Sequence, residues 1–229
     1  MTTSRTARAE ATRAGPSLGW WLAVVLALFV VVAGWPVLTS AASGASLPLR
    51  IAANLSPFVM IVGVLFVAAR FGRMRMATAF GWSAKRFGRQ ILIGVALAAV
   101  TLTLTLLPAA VGFNVLGEGE PRPLAFAYLA IRTFVGVGFV EEFAWRGYVF
   151  AGANRLLGSR AGAVVVSSAL FGLWHFPGSQ DFLQVIMTAL IGALYASAIL
   201  TVRHCTTLAT GLAHGLHDVT LLTLATLLR

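Results

Sequence analysis

The chain has 229 residues, of which 59% are hydrophobic and only 10% charged, and it carries a formal net charge of +10. Soluble domains hold roughly a quarter charged residues, so this composition excludes one, and almost every residue is needed for membrane spans. The positive charge is not a nucleic-acid footprint, because the cations sit in short clusters beside apolar runs, as they do at cytoplasmic membrane edges.

The first uncharged run covers residues 18–38 and follows Arg5, Arg8 and Arg13. At about 1.5 Å rise per residue it is long enough for a hydrocarbon core of ~30 Å. A secretory signal has the same order, but its apolar region is roughly 7 to 15 residues. Despite the small residues around 40–45, the run therefore reads as an uncleaved anchor with a cytoplasmic amino terminus. Further apolar segments at 51–69, 91–111, 124–150, 161–176, 182–202 and 208–228 bring the total to about seven spans. The predicted fold is all-α, a polytopic transmembrane helical bundle.

The loops carry an asymmetric charge. One side would hold Arg5, Arg8, Arg13, Arg70, Arg73, Arg75, Lys85, Arg86, Arg89, Arg155, Arg160 and Arg203, and the other only Arg50, Arg122 and Arg229. The cation-rich side is expected in the cytoplasm. Residues 70–90 contain Arg-Phe-Gly-Arg twice, at 70–73 and 86–89, a basic segment suited to the surface of anionic lipid. Residues 114–123, with Pro121 and Pro123, read as an outer loop. Cys205 is the only cysteine, so no internal disulfide can form. One lysine against sixteen arginines suggests a GC-rich bacterial genome and hence the bacterial cytoplasmic membrane as the location.

Few polar residues interrupt the later spans. They are Glu141, Glu142 and Arg146, with Arg132 earlier in the same run, then His175, and finally His214, His217 and Asp218. Ionisable side chains at bilayer depth cost at least ~2.5 to 3.5 kcal/mol, so they mark a functional site by default. Helical spacing puts Glu142 with Arg146, Phe171 with His175, and His214 with Asp218 on shared faces. Counted from their inner ends, the three helices bring these groups to a similar depth of about 20 Å, which favours one shared site. Arg146 is expected to pair with Glu142, leaving Glu141 free to act on a water with His175. His214 and Asp218 can then steady an oxyanion, or Asp218 can orient His214 or His217. No serine or cysteine is paired with a base, and no cofactor is called for.

At these residues the chain resembles the CPBP family, the CAAX prenyl protease and bacteriocin-processing membrane proteins also called Abi proteins. Three motifs carry the likeness: E-E-x-x-x-R at Glu141 to Arg146, F-x-x-x-H at Phe171 to His175, and H-x-x-x-N/D at His214 to Asp218. The resemblance implies an intramembrane glutamic endopeptidase. In it Glu141 is the base, His175 its partner on the water, His214 and Asp218 the oxyanion stabilisers, and Glu142 and Arg146 the residues that position the site. It also implies a peptide or protein substrate, prenylated in eukaryotic members, reached within the lipid bilayer. The organisation that follows is a tail at residues 1–17, amino-terminal transmembrane helices at 18–123, and a catalytic helical core at 124–229.

Other readings use the same atoms. Two histidines and carboxylates can hold zinc in a metal-dependent hydrolase, although no H-E-x-x-H is present. A non-catalytic immunity or scaffold protein can use the pocket to bind a peptide or partner. A proton-coupled transporter lacks support from any inverted repeat or broken pair of spans.

Overall fold

The computed structural model describes residues 16–72, 74–113 and 115–228. The expectations placed on Arg5, Arg8, Arg13, Arg73 and Arg229 lie outside the described residues. The described chain is helical throughout, with no strand among those residues. Helices α1 (Leu18–Ala41) and α2 (Leu47–Phe71) form a hairpin, and a short α3 (Met76–Ala79) leads to α4 (Phe87–Leu106) and a 3₁₀ turn, Pro108–Val111. Helix α5 (Pro123–Ile131) continues through two π-helical stretches, Arg132–Glu141 and Phe143–Val149, into α6 (Phe150–Leu157). Helices α7 (Arg160–Ser179), α8 (Phe182–Thr201) and α9 (Thr207–Leu227) complete the bundle.

Local chemistry sets the ends of these helices. The side chains of Ser17, Ser159, Asp181 and Thr206 accept hydrogen bonds from the first-turn N–H groups of Trp20, Gly162, Leu183 and Leu208, which satisfies donors that a helix start leaves free. The non-glycine residues with left-handed backbone, Arg86, Gln180 and His204, all fall at junctions between helices. The repeated Arg-Phe-Gly-Arg meets two opposite settings: Arg70, Phe71 and Gly72 of the first copy end α2, and the second, at 86–89, begins α4.

Among the described residues six helices are long and apolar enough to cross a membrane, including the continuous Pro123–Leu157. The seventh expected span forms α9 at full length, but it is not among those six. Its two histidines, its aspartate and its threonines dilute the apolar character. That polar load is borne inside the protein, because Thr207, Thr210, His214 and His217 are all buried.

Helix α9 lies between the π-wound segment and α4, while α7 packs on α8, α6 and α1. A core of Trp21, Leu28, Leu65, Trp145, Tyr148, Phe171 and Trp174 ties the α1/α2 hairpin to the later helices. Indole N–H groups pin this junction: Trp21 donates to the Val149 carbonyl at 3.1 Å and Trp174 to the Leu28 carbonyl at 2.8 Å. The approach of α9 to the π segment depends on missing side chains, since a Cβ on Gly138 would lie 2.8 Å from Gly215 Cα. Small residues are what allow helices to come this close.

The basic loop between α2 and α4 is anchored to the bundle at its midpoint. Ala79 is buried, Thr207 Oγ1 donates to the Phe80 carbonyl at 2.8 Å, and Gln90 Nε2 donates to the Ser83 and Lys85 carbonyls at 2.6 and 2.9 Å.

Candidate active site

Three elements supply the polar groups. Glu141, Glu142 and Arg146 come from the π-wound segment, His175 from α7, and His214, His217 and Asp218 from α9. A π-helix bonds each N–H to the carbonyl five residues back, is rare, and occurs mostly at functional sites. Here the two glutamates stand where one π stretch meets the next. The wider winding gives a smaller rise and a smaller turn per residue than the ordinary α-helix assumed from the sequence.

Glu142 is at the centre of a closed cluster. Its side chain is 0% exposed, with Oε1 3.0 Å from Arg146 Nη1 and 3.2 Å from His214 Nδ1. The arginine contact is an ion pair without good hydrogen-bond direction, since Nη1 and Nη2 have no aligned acceptor among the described residues. The guanidinium lies instead over the Phe171 ring at 4.0 Å and near Tyr195 at 5.5 Å, a cation–π arrangement that suits a buried arginine. Gly192 leaves room for it, because a Cβ there would meet Nη2 at 3.0 Å.

Glu141 is arranged differently. Its Oε2 lies 3.8 Å from His175 Nε2 and has no hydrogen-bond partner among the described residues. His175 Nδ1 is 2.8 Å from the Phe171 carbonyl. A carbonyl can only accept, so Nδ1 carries the proton, and in the neutral ring Nε2 offers a lone pair toward Glu141. The gap is too long for a direct hydrogen bond.

The third cluster lies on α9. His214 Nε2 is 3.5 Å from Asp218 Oδ2, so the His214 ring spans two carboxylates, Glu142 and Asp218. Asp218 Oδ1 is also 3.9 Å from His217 Nε2, and that nitrogen is 3.5 Å from Thr105 Oγ1 of α4.

Two cavities meet at Glu141 and His175. The larger, about 470 Å³, is lined by those two residues together with Thr105, His214, His217, Asp218, Asp181 and Gln184. Loop residues Val115, Leu116 and Gly117 border it. The smaller, about 240 Å³, reaches the same pair from the side of α1 and α2, past Trp35, Phe58 and Ile61. Among the described residues no three His, Cys, Asp or Glu side chains are grouped so as to hold a metal ion.

The six residues singled out from the sequence, Glu141, Glu142, Arg146, His175, His214 and Asp218, are therefore neighbours in space. Sequence reasoning missed three contributors. Phe171 was placed on the His175 face with no role of its own, yet its ring carries Arg146, its carbonyl fixes His175, and it meets His175 and His214 at centroid distances of 4.7 and 6.0 Å. Thr105 and Tyr195 were not named. Thr101 and Thr105, four apart on an apolar helix and both buried, were the available signal for the first.

Residues 123–220 match the sequence family described as Rce1-like, type II CAAX prenyl endopeptidase Rce1-like. The matched segment contains all three motifs, and over it the resemblance to the CPBP family is borne out. That family implies a protease, and with the apolar helices it places the chain among multi-pass membrane proteins. No curated protein and no solved structure gives a significant match.

Proposed function

We propose, with the Rce1-like segment as premise, that the protein is an intramembrane glutamic peptidase in which Glu141 and His175 activate a water. The observation that carries this reading is the 3.8 Å approach of Glu141 Oε2 and His175 Nε2, on two residues that line both cavities. A water beside both acceptors can donate one hydrogen to each, which turns its lone pairs toward an incoming carbonyl carbon. Glu141 takes a proton as the oxygen attacks, the carbonyl becomes a tetrahedral oxyanion, and Glu141 returns the proton to the leaving nitrogen as the C–N bond breaks.

The oxyanion needs a donor, and His214 Nε2 supplies one when the ring is an imidazolium whose Nδ1–H donates to Glu142. Its 3.5 Å separation from Asp218 is slack for a hydrogen bond, so the N–H can turn to a closer acceptor. Glu142 holds the other ring nitrogen, and Arg146 holds Glu142. In this reading Glu142 and Arg146 position His214.

The substrate is a peptide or protein. A wholly apolar groove of about 440 Å³, lined by Leu104, Pro108, Phe113 and Leu190, shares Leu183, Met187 and Ile191 with the larger cavity. It supports a lipidated or strongly apolar segment beside the scissile bond. Cleavage of matched peptides with and without an isoprenyl group, by purified wild-type and Glu141→Ala protein, tests the proposal. Equal rates for the two proteins would remove Glu141 as the base.

A further inference from the structure

The helices that carry the site run between two ends of unlike charge. At one end lie Arg70, Arg75, Lys85, Arg89, Arg160 and Arg203, with no acidic residue there among the described ones. The other end holds Arg50 and Arg122 together with Glu118, Glu120 and Asp181. Loop cations collect on the cytoplasmic side of a membrane protein, so the first end is the inner one.

The site does not lie midway between them. His175 is close to Ser179, where α7 ends, and far from Arg160, where it begins, which amounts to about 6 Å of helix against about 22 Å. The larger cavity continues in the same direction. It is bordered by Val115, Leu116 and Gly117 of the loop before α5 and by Asp181 at the start of α8, all at the cation-poor end. Every residue that α7 and α8 give to the three cavities comes from the half of the helix nearer that end.

The segment between α3 and α4 closes the cation-rich end. Phe80 and Trp82 pack on the Phe143 ring of the π segment, with centroids 5.3 and 5.7 Å away. Gly81, at φ +62°, is wedged between α9 and the π segment, since a Cβ there would lie 3.0 Å from Thr207 Cγ2 and 3.2 Å from Gly147 Cα. Its carbonyl accepts from the Thr207 N–H at 3.3 Å. No residue of this segment lines any of the three cavities. A peptide that reaches Glu141 brings backbone N–H and C=O groups that acyl chains cannot satisfy, so it comes by the end where the cavity meets loops.

We propose that the site is loaded from the non-cytoplasmic face, and that its substrates are apolar peptide segments displayed on that side of the membrane by exported or membrane-anchored chains. This deepens the peptidase reading and rests on it for hydrolysis; the direction of access does not.

Access is measured without hydrolysis. In the full chain with Cys205→Ala, single cysteines are introduced as Glu118→Cys in the outer loop, Gln184→Cys in the wall shared by two cavities, and Lys85→Cys at the cation-rich end. Intact cells of a bacterial host are treated with a membrane-impermeant sulfonated maleimide. Glu118→Cys and Gln184→Cys should label in intact cells, and Lys85→Cys only after lysis. Labelling of Lys85→Cys in intact cells overturns the proposal, and so does labelling of either other variant only after lysis. Hydrolysis is followed separately, with a quenched apolar peptide bearing a sulfonated dye at one end, offered to right-side-out and inside-out vesicles holding the unsubstituted chain. Cleavage by right-side-out vesicles should be lost in inside-out ones and in Glu141→Gln. Cleavage by inside-out vesicles, alone or at an equal rate, overturns outward loading while the peptidase reading stands. If the cysteines label as expected and neither kind of vesicle cleaves the peptide, the outward mouth stands and the peptidase reading fails.

Discussion

Glu141 and Glu142 are the same residue type, one position apart, and the fold gives them opposite settings. Glu142 is sealed at 0% exposure between Arg146 and His214, with no route to either cavity. Glu141 lines both cavities, with His175 opposite at 3.8 Å. A carboxylate whose charge is matched by buried partners holds helices together. One at a cavity wall, with an oxygen left without a hydrogen-bond partner among the described residues, is the one proposed to meet a substrate. Position along the helix decides between enclosure and a place in the cavity wall here, because residue type is identical.

The sharpest way to break this contrast is Glu141→Gln, which keeps the shape and removes the base. Peptide hydrolysis should fall by roughly 10²- to 10⁴-fold, with the unfolding midpoint in mixed micelles unchanged. Removing Arg146 should do the reverse in kind. Arg146→Ala leaves the buried Glu142 with His214 as its remaining partner, and breaking a buried ion pair costs about 3–5 kcal/mol, read as a lower unfolding midpoint with activity lost alongside. If Arg146→Ala kept full stability, Glu142 would not be the structural member of the pair.

Smaller effects refine the picture. His175→Ala should slow hydrolysis by roughly 10²-fold while leaving stability near wild type, because the ring is partly exposed to the cavities. Gly138→Ala should destabilise by about 1–3 kcal/mol through overpacking, since its Cβ would meet Gly215 backbone at 2.8 Å. A loss of activity larger than the loss of stability would show that α9 had shifted His214 away from Glu142.

The smallest effect concerns the 115–122 loop. Arg122 pairs with Glu120 at 2.7 Å, and that hydrogen-bonded guanidinium holds the Glu120 carboxyl down to about 2. A carboxyl lowered in the folded state stabilises fully above its unfolded value, near 4.5, and loses that contribution as pH falls toward 2. The loop should therefore loosen below about pH 4 in hydrogen exchange, and Glu120→Gln should remove this pH dependence with little change at neutral pH.

Much of the fold could be read from the chain because bilayer thickness dictates helix length. The apolar runs at 18–38, 51–69 and 182–202 fall within or nearly coincide with α1, α2 and α8, and capping residues at Ser17, Ser159, Asp181 and Thr206 mark where helices start. The site was readable for a related reason: charged residues are scarce in lipid, so the few present stand out. Phe171 and Thr105 did not stand out, since an aromatic ring and a threonine cost little in a span wherever they point. The π winding was hidden as well, because nothing in the local sequence requires it.

The sequence by itself determined the membrane-spanning helices and the short list of groups able to do chemistry, through the cost of removing charges from water. Only the tertiary structure decided which glutamate is sealed and which lines a cavity, that Arg132 rests on two aromatic rings, and that α9 can carry polar residues. Those outcomes depend on neighbours from distant helices: Gly215 admitting Gly138, Gly192 admitting Arg146, and Trp21 taking the Val149 carbonyl at the end of the π segment. Contacts of that kind form only after the helices have packed.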